Sequence, residues 1–218
     1  MTLETLTQSA KLYFPQLETQ YKDQSWLMRL LGKILFFNKK FMTNYTTTIG
    51  STVYFPNADF VKQRPISALV ILMHELVHIN DAKKMGSLLF SFLYLTPQIL
   101  ALLAIPLLFL MGWKIPLLLF LVLMSPLPSY FRMHFEKRAY MASLYVTNAL
   151  GKKLGFDPML DKNEAYYLSQ FRNSYYYFMW VFKGLNKEFD VAVVKIKNGE
   201  RPYDDPVFNI LDALIEKT

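Results

Sequence analysis

Met73-His74-Glu75-Leu76-Val77-His78-Ile79-Asn80-Asp81 is the stretch on which the fold turns. Its HExxH spacing sets two imidazoles one helical turn apart on a single face. At i and i+4 both rings reach one metal ion at Zn–N distances of roughly 2.0–2.1 Å. Glu75 is offset around the helix from the first ligand, where its carboxylate can take the proton of a water that the ion acidifies. The flanks read as helix. Pro65 suits a first turn, Ile66, Leu69, Val70, Met73 and Val77 recur at i, i+3, i+4 spacing, and Gly86 is a stop. A buried helix with two structural histidines is the plain alternative.

Composition points to an apolar surface as well as an apolar core. Hydrophobic residues make up 53% of the 218 and charged residues only 19%, low for a water-soluble domain. The length fits a single domain over 1–218. The net charge of +7 fits nucleic acid, an anionic membrane surface or nothing specific. No cysteine is present, which excludes disulfides and thiolate ligands. The polar start, Met1 to Lys11, holds no apolar signal core, so no cleaved secretion signal is expected.

Downstream of the HExxH stretch, the only charge from Ser87 to Phe131 is Lys114. The run is about twice the roughly 20 apolar residues that cross a bilayer. It is expected to form two transmembrane helices, 87–111 and 115–131, turning at Gly112-Trp113-Lys114. Pro97 and Pro106 kink the first, Pro116 suits a first turn, and Pro126 and Pro128 bend the end of the second. The rival is a buried helical pair, which a chain of this size has little volume to hold. Two crossings return whatever follows residue 131 to the side of HExxH. Lys83, Lys84, Arg132, Lys137 and Arg138 crowd the two ends against Lys114 in the loop, so both ends are expected on the cytoplasmic side. That clustering, with no recognition motif, argues against a nucleic-acid partner.

Two histidines leave a tetrahedral zinc ion short of one protein ligand. Asp81 lies about 10 Å along the helix from His74, too far for one ion. His134, the chain's other histidine, reads as an interfacial or hydrogen-bonded residue. Glu136 opens a helix whose Ala139, Ala142 and Ser143 allow close packing, and it is the leading choice.

HExxH, an apolar hairpin and then E-x-x-A resembles the integral-membrane gluzincins of the HtpX and CAAX-prenyl-protease group. The matching residues are His74-Glu75-Leu76-Val77-His78 and Glu136-Lys137-Arg138-Ala139, within roughly 43–150. The resemblance implies a mainly α, zincin-like core with a short β-hairpin or edge strand, the hairpin being inserted before the third-ligand helix. It also implies Zn2+ held by His74, His78 and Glu136, Glu75 as the catalytic base, and cleavage of membrane-associated or misfolded polypeptides. Where those relatives carry an aspartate supporting a zinc histidine, this chain has Tyr140, and Asp81 is the candidate substitute. No histidine follows His134, so the oxyanion donor is open among Tyr140, Tyr166, Tyr167, Arg172 and Tyr175-Tyr176-Tyr177. A membrane scaffold holding a silent, structural zinc site is the alternative.

Elsewhere, residues 1–24 read as a polar helical start. Residues 26–41 read as a basic amphipathic helix in the headgroup layer, with Arg29, Lys33, Lys39 and Lys40 facing phosphates. Thr43 to Pro56 is β-branched and aromatic, a strand or hairpin turning at Gly50-Ser51, whose edge can add an extended peptide. Residues 161–184 read as an aromatic helix, Val191 to Lys197 as one short strand, Asn198 to Pro206 as loop and Val207 to Glu216 as a terminal helix.

Overall fold

The computed structural model describes residues 2–36, 38, 40–125, 127–173, 179–182 and 184–218. In chain order these form α1 (Leu3–Ala10), β1 (Glu18–Tyr21), α2 (Trp26–Ile34), β2 (Thr47–Ile49), β3 (Thr52–Phe55), α3 (Ala58–Gln63) and α4 (Pro65–Met85). There follow α5 (Ser87–Leu95), a 3-10 helix (Gln98–Leu103), α6 (Ala104–Met111), α7 (Lys114–Leu123), α8 (Tyr130–Leu154), α9 (Leu160–Arg172), α10 (Leu185–Lys197) and α11 (Val207–Lys217). The chain is mainly helical with one three-stranded sheet.

The HExxH helix, α4, forms the axis. Pro65 occupies its first turn, and Gly86 ends it at φ +92°, a conformation side chains with a Cβ rarely adopt. It is buried over most of its circumference: Ala68, Leu69, Leu72, Met73, Leu76 and Val77 all face core. Against it lies α8, whose Ala139, Ala142 and Ser143 are at most 2% exposed and let the two helices approach closely. Helices α1 and α11 and strand β3 complete this core with Leu6, Phe55, Phe208 and Leu211. On its other side α8 packs against α9 and α10 through Leu144, Phe171, Phe189 and Ile196. The α8 helix starts at Tyr130, so Glu136 sits in its second turn rather than at its opening.

The 43–56 hairpin forms as β2 and β3, antiparallel, with Thr48 opposite Val53. The sheet order is β1-β3-β2, with β1 parallel to β3, which leaves β2 at an edge. Strand β1 corrects the helical reading of residues 1–24, which holds only for α1. A second correction concerns Val191 to Lys197, which belongs to α10. It is rich in β-branched residues, but Leu185, Phe189, Ala192, Val193 and Ile196 recur at helical spacing and bury one face.

The apolar run takes a different form from the two kinked transmembrane helices expected. Pro97, which lacks an N–H and crowds the preceding turn, follows the end of α5, and the path bends by 90° between Ser87–Leu95 and Gln98–Met111. Among the described residues no single helix is long and apolar enough to cross a membrane. Nor is the run a buried core pair. Leu88, Phe109 and Leu110 are 90%, 86% and 79% exposed, and α5 buries no residue. Pro126 lies outside the described residues.

A buried cation lies just past β1. Lys22 Nζ donates to the Phe41 carbonyl at 2.7 Å and stands 3.9 Å from that ring's centroid. Burial lowers its pKa to about 7, partly opposed by Glu75. Between about 7 and 10.5 the unfolded chain therefore holds a proton on Lys22 that the folded chain has released. Stability rises with pH through that window, and the full penalty applies below it. Lys22→Met, which cannot titrate, is expected to be most favoured over wild type below pH 7. That difference should shrink as pH approaches 10.5. Urea unfolding across the window checks this, and a pH-independent difference would refute it.

Candidate metal centre

His74 and His78 lie one turn apart on α4, and Glu136 faces them from α8. One donor atom from each of the three falls within 4.8 Å of the others. Glu136 Oε2 is 3.4 Å from His74 Nε2, and Glu136 Oε1 is 3.6 Å from His78 Nε2. Ligands about 2.0–2.2 Å from a tetrahedral ion stand roughly 3.3–3.6 Å apart, so each Glu136–histidine contact, taken singly, has the spacing of two ligands to one ion. His78 Nε2 and Glu136 Oε2 are buried and make no hydrogen bond to any described residue. Buried orphan groups of this kind are costly, and a cation between them satisfies both. The residues therefore fit a metal ion. His134 stacks on Tyr130 instead, outside the group.

The three side chains also interact by charge. Burial works against the ionised Glu136, but His78 and His74 outweigh it and hold the carboxyl well below the usual carboxylate range. Burial likewise opposes protonation of His78, yet Glu136, with smaller contributions from Glu75 and Asp81, raises its pKa overall.

The outer support of the ligands differs from the expectation. Asp81 is turned to Arg138, which grips both its carboxylate oxygens at 2.8 Å. Ser143 takes the place assigned to it: His74 Nδ1 and Ser143 Oγ are 3.1 Å apart. Ser143 spends its one proton on the Ala139 carbonyl at 3.0 Å, so it accepts from Nδ1–H and leaves the His74 Nε2 lone pair for the metal. Tyr140 lies against the His74 ring, centroids 4.9 Å apart, and stacks on Tyr167 behind it. Glu136 has its own support: Tyr94 of α5 donates its hydroxyl to Oε1. Arg132 holds the Tyr94 carbonyl at 2.9 Å. Neither Ser143 nor Tyr94 emerged as a site residue from sequence. A lone phenol in the apolar stretch 88–95 is the available signal for Tyr94.

Supports of this kind typically contribute 10–100-fold in metal affinity, which sets the expectation for Ser143→Ala. Competition with a chromophoric chelator measures it. Unchanged affinity for a divalent metal in a normally folded variant would remove Ser143 from the site.

Glu75 stands beside the donors without joining them, and its Oε2 accepts from Thr48 Oγ1 of β2 at 2.8 Å. His74 and Glu75 form part of the lining of a cleft of about 640 Å³. Tyr45 and Thr46 line it near β2, and Tyr140, Tyr166 and Tyr167 from α8 and α9. Burial pushes the Tyr167 phenol up to about 12, Tyr166 adding to the effect and Ser143 partly opposing it, so it remains a neutral donor near pH 7. Of the other oxyanion candidates, Arg172 is bonded to Asn186, and Tyr175-Tyr176-Tyr177 lie outside the described residues.

The chain matches no protein-family model, no curated protein and no solved structure with which it was compared.

Proposed function

We propose that this chain is a zinc-dependent endopeptidase embedded in a membrane, acting on extended polypeptide segments from the cytoplasmic side. One observation carries the reading: a carboxylate outside the donor set, Glu75, lies with His74 along the cleft. Structural zinc sites are closed by four protein ligands, whereas catalytic ones keep a position open. Three donors beside a cleft, among the described residues, fit the second kind. That also favours the enzyme over a silent scaffold.

Held by His74, His78 and Glu136, zinc would supply Lewis acidity toward a water and the substrate carbonyl. The chain's own residues do the rest. Glu75 receives the proton of the attacking water and delivers it to the departing amide nitrogen, restoring its carboxylate. Thr48 holds that carboxylate from the edge strand β2, along which an extended substrate can add as a further strand. Tyr140, Tyr166 and Tyr167 are the cleft's hydroxyl candidates for the developing oxyanion.

The membrane part of the proposal is supported by the exposed leucines and phenylalanines of α5–α7, a larger apolar surface than water-soluble monomers usually present. The cations of 83–84 and 132–138 against Lys114 favour the cytoplasmic side.

Protein purified in detergent should carry near-stoichiometric zinc and cleave casein. Cleavage should stop with a zinc chelator and return with added zinc. Zinc held without any cleavage would favour the scaffold, and failure to hold any divalent metal would overturn both readings.

A further inference from the structure

The second helix, α2, presents an apolar stripe that nothing in the described chain covers. Trp26, Leu30 and Ile34 follow one another at four-residue steps and are 70%, 46% and 58% exposed. Arg29 and Lys33 project from the same side and are exposed. The opposite side is already used: Met28 is fully buried, and with Leu27, Leu31 and Leu35 it packs against Phe41 and Tyr54. A helix covered on one side ordinarily turns polar residues outward. Here the outer side mixes tryptophan and aliphatic groups with cations only. Between Asp23 and Asp59 the sequence holds no acidic residue but carries Arg29, Lys33, Lys39 and Lys40. Lys39 lies outside the described residues.

We propose that α2 lies flat in the headgroup layer of an anionic membrane, with Trp26, Leu30 and Ile34 entering the acyl boundary and Arg29 and Lys33 meeting lipid phosphates. The charge decides among occupants. A second copy of this segment would bring like charges together, whereas anionic headgroups neutralise them and leave the apolar stripe in contact with acyl chains. Tryptophan is the side chain most at home at that depth. The proposal rests on the bilayer reading of residues 87–131, since it makes α2 a second point of attachment for a chain already held by its apolar run.

The three tryptophans make the test direct. Trp113→Phe/Trp180→Phe leaves Trp26 as the only reporter, and Trp26→Phe/Trp180→Phe leaves Trp113 in the apolar turn. Both proteins are reconstituted in vesicles of phosphatidylcholine and phosphatidylglycerol containing bromine-labelled lipids. Trp26 emission should shift to the blue, be quenched by lipids brominated near the headgroup, and lose most of its accessibility to acrylamide. Vesicles of phosphatidylcholine alone, or Arg29→Gln/Lys33→Gln in the Trp26-only background, should lose most of that quenching. Quenching that ignores both changes overturns the anionic partner. If Trp113 is quenched while Trp26 is not, α2 is off the membrane although the bilayer reading stands. If neither is quenched, the bilayer reading fails and this proposal with it. Protection of Trp26 from acrylamide without bromolipid quenching means that protein covers the stripe, which also overturns it.

Discussion

Glutamine at position 75 is expected to leave zinc bound and to slow peptide hydrolysis by roughly 10²–10⁴-fold, the usual contribution of a positioned acid–base group. Glutamine matches glutamate in shape, and its carbonyl can still accept from Thr48, so β2 stays anchored to α4. The candidate donors are His74, His78 and Glu136, and the altered group is not one of them. What disappears is the ability to take a proton from water and hand it to the leaving nitrogen. Metal content by mass spectrometry and hydrolysis of a fluorogenic peptide give the two readouts. Equal rates in wild type and Glu75→Gln, with zinc retained in both, would end the case for this carboxylate as the base. Loss of zinc together with activity would instead make position 75 part of the metal's support.

How far the centre was legible in the sequence depends on which interactions are local. His74, Glu75 and His78 share one helix, and four-residue spacing alone brings the two rings to one side of it. Glu136 followed by elimination and from the small residues after it, and Ala139, Ala142 and Ser143 do form the close seam with α4. Ser143 was assigned only a packing role because its bond to His74 depends on the register between α4 and α8, which spacing does not set. Tyr94 was hidden for a stronger reason. The run reads as two kinked helices crossing a bilayer away from the site, whereas α5 packs along α8 and holds Tyr94 beside Glu136. Strand β1 has little pattern of its own and exists through parallel pairing with a strand more than thirty positions later. In α10 the β-branched residues favour strand locally, but the aromatic and aliphatic groups at helical spacing are those that fill the core against α8 and α9. Asp81 was assigned to a histidine because the sequence names its acids without showing which cation turns toward each.

That cation is Arg138, and removing it should lower stability substantially. The guanidinium holds both oxygens of Asp81 at 2.8 Å and reaches Asp205 at 2.6 Å. Asp81 is only 2% exposed, whereas Asp205 keeps a second partner in Lys84 at 3.0 Å. Arg138→Met therefore strands one carboxylate in the interior and leaves the other paired. Breaking a buried pair from one side costs about 3–5 kcal/mol, which for a chain of this length lowers the melting temperature by roughly 10 °C. Asp81 lies three residues beyond His78 and Arg138 two beyond Glu136, so the pair also pins the register in which the ligands meet. Weaker zinc binding should accompany the lower melting temperature. Pairing the change with Asp81→Leu removes the stranded charge and should recover most of the stability, because an apolar pair of similar volume replaces a buried ion pair at little cost. Thermal melts of wild type, both single variants and the double variant complete the cycle. A melting temperature for Arg138→Met within the small range typical of surface substitutions would show that α4 and α8 keep their register by apolar packing alone.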